Sequence, residues 1–150
     1  MIFADSSYLL ALYLASDRLS AQARQIAIAF TAPIAYPLLI EVEVINTVWR
    51  AVGERRLPKQ LARIFLRDID QDLNEGFLQR CALDAASHYR EAMELSERYA
   101  ARYLTRALDV LHIAAALEMQ AAAFVSFDQR QRKLAAEVGL TLLPASFDSQ

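Results

Sequence analysis

The chain has 150 residues, of which 55% are hydrophobic and 23% charged, and its net charge is −2. That balance excludes a disordered or collagen-like chain, fits one domain over residues 1–150 with an ordinary core, and gives no whole-molecule field that would steer nucleic acid toward it. One cysteine, Cys81, excludes an intramolecular disulfide and a Cys-based zinc cage; no apolar run reaches the length of a membrane span and no basic n-region precedes the first apolar segment, so a cytoplasmic location is expected.

Ile2-Phe3-Ala4 is a short apolar strand that stops at Asp5. A helix from Tyr8 to Ala15 is expected next, capped by Ser6 or Ser7. Ser16 to Phe30 reads as helical, with Leu19, Ala23, Ile26 and Ala27 inside. Pro33 to Pro37 is a strand squeezed between two prolines, which predicts a short, peripheral one. Leu38 to Val52 is the next helix. Leu38, Val42, Ile45, Trp49 and Val52 recur at helical spacing and predict its core side, with Glu43 at the edge of that face and Glu41 pointing further away. Pro58 suits the first turn of the following helix, whose inner stripe is Leu61, Ile64, Phe65, Ile69 and Leu73 and which Gly76 closes. Arg55, Arg56, Lys59, Arg63 and Arg67 form the densest basic cluster; a solvated face is the plain reading and contact with a nucleic-acid backbone the functional one.

Phe77 to Leu83 is predicted as a strand, and Asp84 as the cap of a helix to about Tyr99. That helix carries His88, Tyr89, Met93, Leu95 and Tyr99, an apolar face rich in tyrosine. His88 has no His or Cys at ligand spacing and reads as structural. After a break over Ala100 to Thr105, Arg106 to Ala136 reads as helix, strand and helix. Asp109 opens the first helix beside an apolar stripe of Leu108, Leu111, Ala115 and Met119, which predicts the core side. Ala123 to Phe127 is a buried parallel strand with Asp128 at its carboxyl end. Gly139 stops the last helix, and Thr141 to Leu143 is a final strand before a polar tail. Alternating helices and short strands predict an α/β fold with a mainly parallel sheet and right-handed crossovers.

Four acids stand out. Asp5 and Asp128 end strands, where open α/β sheets place their ligands; Glu43 and Asp109 lie on helices that flank the core. Asp109 and Asp128 suit helix N-caps as well. Acids at the ends of neighbouring strands repel unless a cation or protons sit between them. Four carboxylates without His or Cys partners make an all-oxygen site suited to Mg²⁺ or Mn²⁺ rather than zinc. With three glycines in the chain there is no P-loop or dinucleotide fingerprint, and no Ser-His-Asp order or Cys-His pair competes. Fourteen arginines stand against two lysines. GC-rich codons are the simpler cause of that bias, which permits a phosphate-bearing partner without arguing for one.

The stretches MIFADSS, EVINTVWR, RALDVLHIAAALE and FVSFDQRQRKLAAEVGL, in this order and spacing, resemble PIN-domain ribonucleases, specifically the toxin half of VapBC-type toxin–antitoxin pairs. The resemblance covers nearly the whole chain and implies a PIN-like three-layer α/β/α sandwich. It implies that Asp5, Glu43, Asp109 and Asp128 gather around one or two Mg²⁺ or Mn²⁺ ions, with Ser7 and Ser126 in support. Glu43 is preferred to Glu41 because Asn46 and Arg50 fall at the family's offsets. His112, in the Asp109-x-x-His112 arrangement of one branch, reads as packing or as support for an acid. The implied activity is endonucleolytic cleavage of RNA by a metal-activated water, leaving a 5′-phosphate and a 3′-hydroxyl. The implied partners are a small antitoxin whose tail crosses the active-site mouth, a second copy of the chain, and RNA held by Arg50, Arg55, Arg56 and Lys59. Rival readings are a PIN-like binding module without cleavage, and a metal-dependent nuclease or phosphatase with another substrate.

Overall fold

The computed structural model describes residues 1–147, so the end of the polar tail, 148–150, lies outside the described residues. Five strands and seven helices alternate: β1 (Ile2–Ala4), α1 (Ser6–Tyr13), α2 (Ser20–Ile28), β2 (Ile34–Pro37), α3 (Leu38–Gly53), α4 (Lys59–Glu75), β3 (Leu78–Cys81), α5 (Ala85–Tyr103), α6 (Ala107–Glu118), β4 (Ala123–Val125), α7 (Gln129–Glu137) and β5 (Leu142–Leu143). The strands form one sheet in the order β3-β2-β1-β4-β5, and every pairing is parallel. Helices α1 to α4 pack among themselves on one side, and α5 to α7 on the other. The result is an α/β/α sandwich with a short parallel sheet, as expected.

The central strands β1, β2 and β4 are buried at every residue, which is why they read as unbroken apolar runs rather than alternating ones. Phe3 of β1 stacks on Phe124 of β4 with ring centroids 5.7 Å apart. Since β1 connects onward to β2 on one side and β4 to β5 on the other, the chain reverses direction across the sheet between β1 and β4. A crevice opens at the carboxyl ends of the strands at such a point.

Several boundaries and faces differ from expectation. Asp5, not Ser6 or Ser7, caps α1, its carboxylate accepting the Tyr8 main-chain N–H, and the helix ends at Tyr13. Helix α2 starts only at Ser20, after a turn in which Asp17 accepts the Leu19 N–H. Strand β2 is interior rather than peripheral: its prolines lie at the strand's ends, where Pro33 still offers its carbonyl to Ile2. The inner face of α3 is Ile40, Val44 and Val48. Of the stripe expected inside, Leu38, Val42, Ile45 and Trp49 are exposed, Leu38 by 72% and Val42 by 67%, while Val52 packs partly buried against the core. In α4 the buried residues are Ala62, Phe65 and Ile69, with Leu61 outside. In α6 the buried set is Asp109, Val110 and the run His112–Ala116, while Leu108 is exposed. Asp109 occupies the third helical position, and Arg106 is the cap residue. The ends of α4 and α7 follow the glycine expectation, with Gly76 at φ +82° and Gly139 at φ +81°.

Candidate active site

The four singled-out acids reach one place from four elements. Asp5 leaves the carboxyl end of β1, Glu43 projects from the second turn of α3, Asp109 from the first turn of α6, and Asp128 stands at the start of α7 beyond β4. With Ser6, Ser7, Arg106, Ala107, Leu108 and Gln131 they line a cavity of about 360 Å³. It lies at the crevice that the strand order predicts.

Asp5 is the deepest of the four, with no exposure. Its carboxylate accepts the Ser7 hydroxyl at 2.7 and 2.8 Å, the Tyr8 N–H at 3.0 Å and the Ser126 hydroxyl at 2.8 Å. The serines are held in turn: Ser7 Oγ accepts the Phe127 N–H at 3.0 Å, and Ser126 Oγ accepts the Asp128 N–H at 2.9 Å. The end of β1 and the end of β4 are thus laced together through Asp5. Burial pushes the Asp5 carboxyl up to about 6, against the pull of the Ser7 hydroxyl, the Tyr8 N–H, the His112 charge and the Ser126 hydroxyl. Its bonded partners are hydroxyl and main-chain donors, none of them charged.

Glu43 is half-buried and its Oε2 lies 2.6 Å from His112 Nε2. Burial works to raise its carboxyl, but the His112 hydrogen bond and charge, with a contact from Ser6, hold it below the ordinary glutamate range. His112 itself is completely buried, and among the described residues its Nδ1 has no partner. Asp109 is 7% exposed and turns Oδ2 back to the Arg106 N–H at 2.8 Å. Asp128 accepts the N–H groups of Arg130 at 2.7 Å and Gln131 at 3.2 Å. Asp128 is thus the N-cap of α7, whereas Asp109 bonds back to the cap residue from the third helical position; each carboxylate keeps further lone pairs to offer.

Three residues that the sequence did not single out complete the surroundings. Gln131 lines the cavity one helical turn after Asp128, and Arg106 lines it three residues before Asp109; that spacing was the available signal. Arg132 lies behind the site, 6% exposed. Its guanidinium donates to the carbonyls of Ser126 at 3.0 Å, Leu143 at 3.2 Å and Pro144 at 2.6 Å. Burial draws its pKa below the ordinary value, while the Asp5 charge pulls the other way.

The other residues weighed for function lie elsewhere. Glu41 is paired with Arg80 at 2.7 Å. Arg50 and Arg56 both meet Glu54, and Arg55 and Lys59 are exposed beside them at the α3–α4 turn. His88 donates its Nε2 proton to the Leu111 carbonyl, 2.9 Å away, as a structural histidine would. A larger hollow of about 460 Å³, lined by Leu38, Val42, Leu83 and Tyr89 among others, holds none of the four acids.

Among the described residues, no three of His, Cys, Asp and Glu are placed so as to hold a metal ion directly. The donor chemistry nonetheless fits a hard divalent cation, since magnesium takes one or two carboxylates and keeps water on its remaining positions. Buried Asp5, whose charge has no cationic side chain bonded to it, is the group with most to gain from such an ion.

Residues 2–137 match the family described as PIN domain. Among solved structures, the chain is similar to VapC20 of Mycobacterium tuberculosis, described as a sarcin–ricin loop cleaving toxin. The TM-score is 0.69 at 16% identity, over 94% of this chain and 97% of that one. At that identity the likeness concerns the fold. No curated protein matches significantly. The family match spans every residue that lines the cavity, and the chain belongs to the PIN-domain family.

Proposed function

We propose that the protein is a Mg²⁺- or Mn²⁺-dependent endoribonuclease acting as the toxin of a toxin–antitoxin pair. The observation that carries the reading is the meeting of Asp5, Glu43, Asp109 and Asp128 in one cavity at the carboxyl ends of β1 and β4. The family and the fold support a nuclease-type hydrolase. In this reading Asp5, Glu43 and Asp109 position the cation, directly or through the waters it keeps, and Asp128 completes the cluster or orients water. A cation so held supplies a water of lowered pKa and a counter-charge for the phosphate under attack. Ser7 and Ser126 fix the Asp5 carboxylate, and His112 fixes that of Glu43, so the acids need little rearrangement on binding.

RNA is the proposed substrate, held by Arg50, Arg55, Arg56 and Lys59 on the α3–α4 side. The similarity in fold to a toxin that cleaves the sarcin–ricin loop supports a structured RNA target. A cognate antitoxin is proposed to cover the cavity mouth. A homodimer is proposed through α5, whose Tyr89 is 58% and Met93 60% exposed; loss of the dimer in Tyr89→Glu tests that contact. Among the described residues no helix is long and apolar enough to cross a membrane, which accords with action in the cytoplasm.

The test is cleavage of quenched-fluorophore RNA and of its DNA counterpart by antitoxin-free protein in Mg²⁺, Mn²⁺ or EDTA. Metal-dependent cutting of RNA alone is the expected result. Cutting of DNA in preference to RNA would replace the substrate assignment, and equal cutting in EDTA would refute the metal-dependent mechanism.

A further inference from the structure

Not every buried polar group in the cavity wall has a partner. Gln131 is 4% exposed and lines the cavity. Its main-chain N–H donates to Asp128 Oδ1 at 3.2 Å, and its carboxamide Nε2 donates to Asp109 Oδ1 at 3.5 Å. One residue thereby ties two of the acids, from two different helices. Its carbonyl oxygen Oε1 has no partner among the described residues. Turning the carboxamide over does not cure this. It would set Oε1 against the Asp109 carboxylate, acceptor against acceptor, and strand the NH₂ group instead.

A buried amide oxygen without a donor is costly, and an apolar side chain of similar size would pack there without that cost. The surroundings suggest the missing donor. Asp5 already accepts from three groups, and Asp109 and Asp128 each accept from main-chain N–H groups. Waters carried by a divalent cation are strong donors that need acceptors on the wall. We infer that Gln131 is a positioning residue of this centre: its Nε2 steadies Asp109, and its Oε1 accepts from a water on the bound cation. The Nε2 contact is long and the terminal torsion of a glutamine is soft, so a small turn presents Oε1 to the cavity. The inference rests on the metal-dependent reading of the cavity given above.

The test is calorimetric titration of Mg²⁺ and Mn²⁺ into metal-free protein, comparing the unmodified chain with Gln131→Leu and Gln131→Asn, with melting in EDTA measured alongside. Loss of hydrogen bonds around metal ligands weakens metal binding about 10–100-fold. Gln131→Leu is therefore expected to bind Mn²⁺ at least about 10-fold more weakly while melting in EDTA no lower than the unmodified chain. Gln131→Asn, which keeps the carboxamide but withdraws it by one methylene, is expected to weaken binding as well and decides the matter if the leucine variant does not fold. Unchanged affinity in either folded variant overturns the role of Gln131. A lowered melting point with affinity retained also overturns it, since that is the signature of packing alone. Failure of the unmodified chain to bind either ion overturns the metal-dependent reading itself, and the two failures are told apart by that first titration.

Discussion

His112 Nε2 lies 2.6 Å from Glu43 Oε2, joining the middle of α6 to the second turn of α3 across 69 residues of sequence. The Glu43 carboxylate can only accept, so the ring donates from Nε2; among the described residues Nδ1 of this fully buried ring has no partner. The contact locates one acid of the cavity and explains why a histidine is kept in an otherwise apolar helix face.

Replacing that ring by His112→Ala should destabilise the protein by about 2–4 kcal/mol, since it opens a core cavity and frees the Glu43 carboxylate. Cleavage should fall about 10–100-fold in the folded fraction, as for other residues that hold a metal ligand. Chemical denaturation and single-turnover cleavage check both parts. Glu43→Gln keeps an acceptor for His112 and should leave stability within about 1 kcal/mol while removing activity.

Asp5 makes the metal-free protein sensitive to pH. Its native carboxyl is pushed up to about 6 from 3.8, so between those values the native state binds more protons than the unfolded state. Stability contributed by this group therefore falls as pH rises through that window and stays lower above it, by about 3 kcal/mol at most. Glu43 acts in the opposite sense: its depressed carboxyl adds stability above the unfolded value, which is lost as pH falls. Comparison with Asp5→Asn isolates the first effect. In EDTA the two proteins should melt most alike near pH 4, and by pH 7.5 the asparagine variant should melt higher. Added Mg²⁺ should raise the melting point of the unmodified chain alone. Parallel melting curves across this range would contradict the burial argument.

Much of the fold was legible in the sequence, and the failures have identifiable causes. Strands β1 and β4 read correctly because buried parallel strands are short unbroken apolar runs. Helix α3 was placed correctly but turned the wrong way. It carries two apolar stripes, Leu38-Val42-Ile45-Trp49 and Ile40-Val44-Val48, and periodicity does not say which one the sheet covers. Strand β2 was pushed to the periphery by its prolines, although only their place within the strand decides that. Asp5, Asp109 and Asp128 were nameable because they sit at strand ends and helix starts, and Glu43 because Asn46 and Arg50 follow it at the family's offsets. Their partners Ser7, Ser126 and His112 were legible only through the family resemblance: Ser126 reaches Asp5 across 121 residues and His112 reaches Glu43 across 69, distances over which spacing carries no signal.

Arg132 is the chief structural tie behind the site. Arg132→Met removes the donors to the carbonyls of Ser126, Leu143 and Pro144 and should destabilise the chain by about 2–4 kcal/mol. Hydrogen exchange should quicken first at Leu142–Leu143, a two-residue edge strand. Protection unchanged at β5 would show that the strand stands without the clamp.

The RNA-facing assignment makes a salt-dependent claim. Arg50 and Arg56 are already engaged by Glu54, so Arg55 and Lys59 are the more available charges of the group. For single-stranded RNA each lost phosphate contact lowers the slope of log affinity against log salt by about 0.7. Arg55→Ala with Lys59→Ala should therefore reduce that slope by about 1.4 in filter-binding measurements on the catalytically inactive Asp5→Asn background. An unchanged slope would move the RNA path to another face.

The central claim is that one cation-dependent centre is built around Asp5. Single-turnover cleavage of RNA in Mg²⁺ by the unmodified chain and by Asp5→Asn, each shown folded by its melting curve, tests it most directly. The account predicts cutting by the first that EDTA abolishes, and none by the second despite an equal or higher melting point at pH 7.5. Cutting by a folded Asp5→Asn protein at the unmodified rate would contradict it.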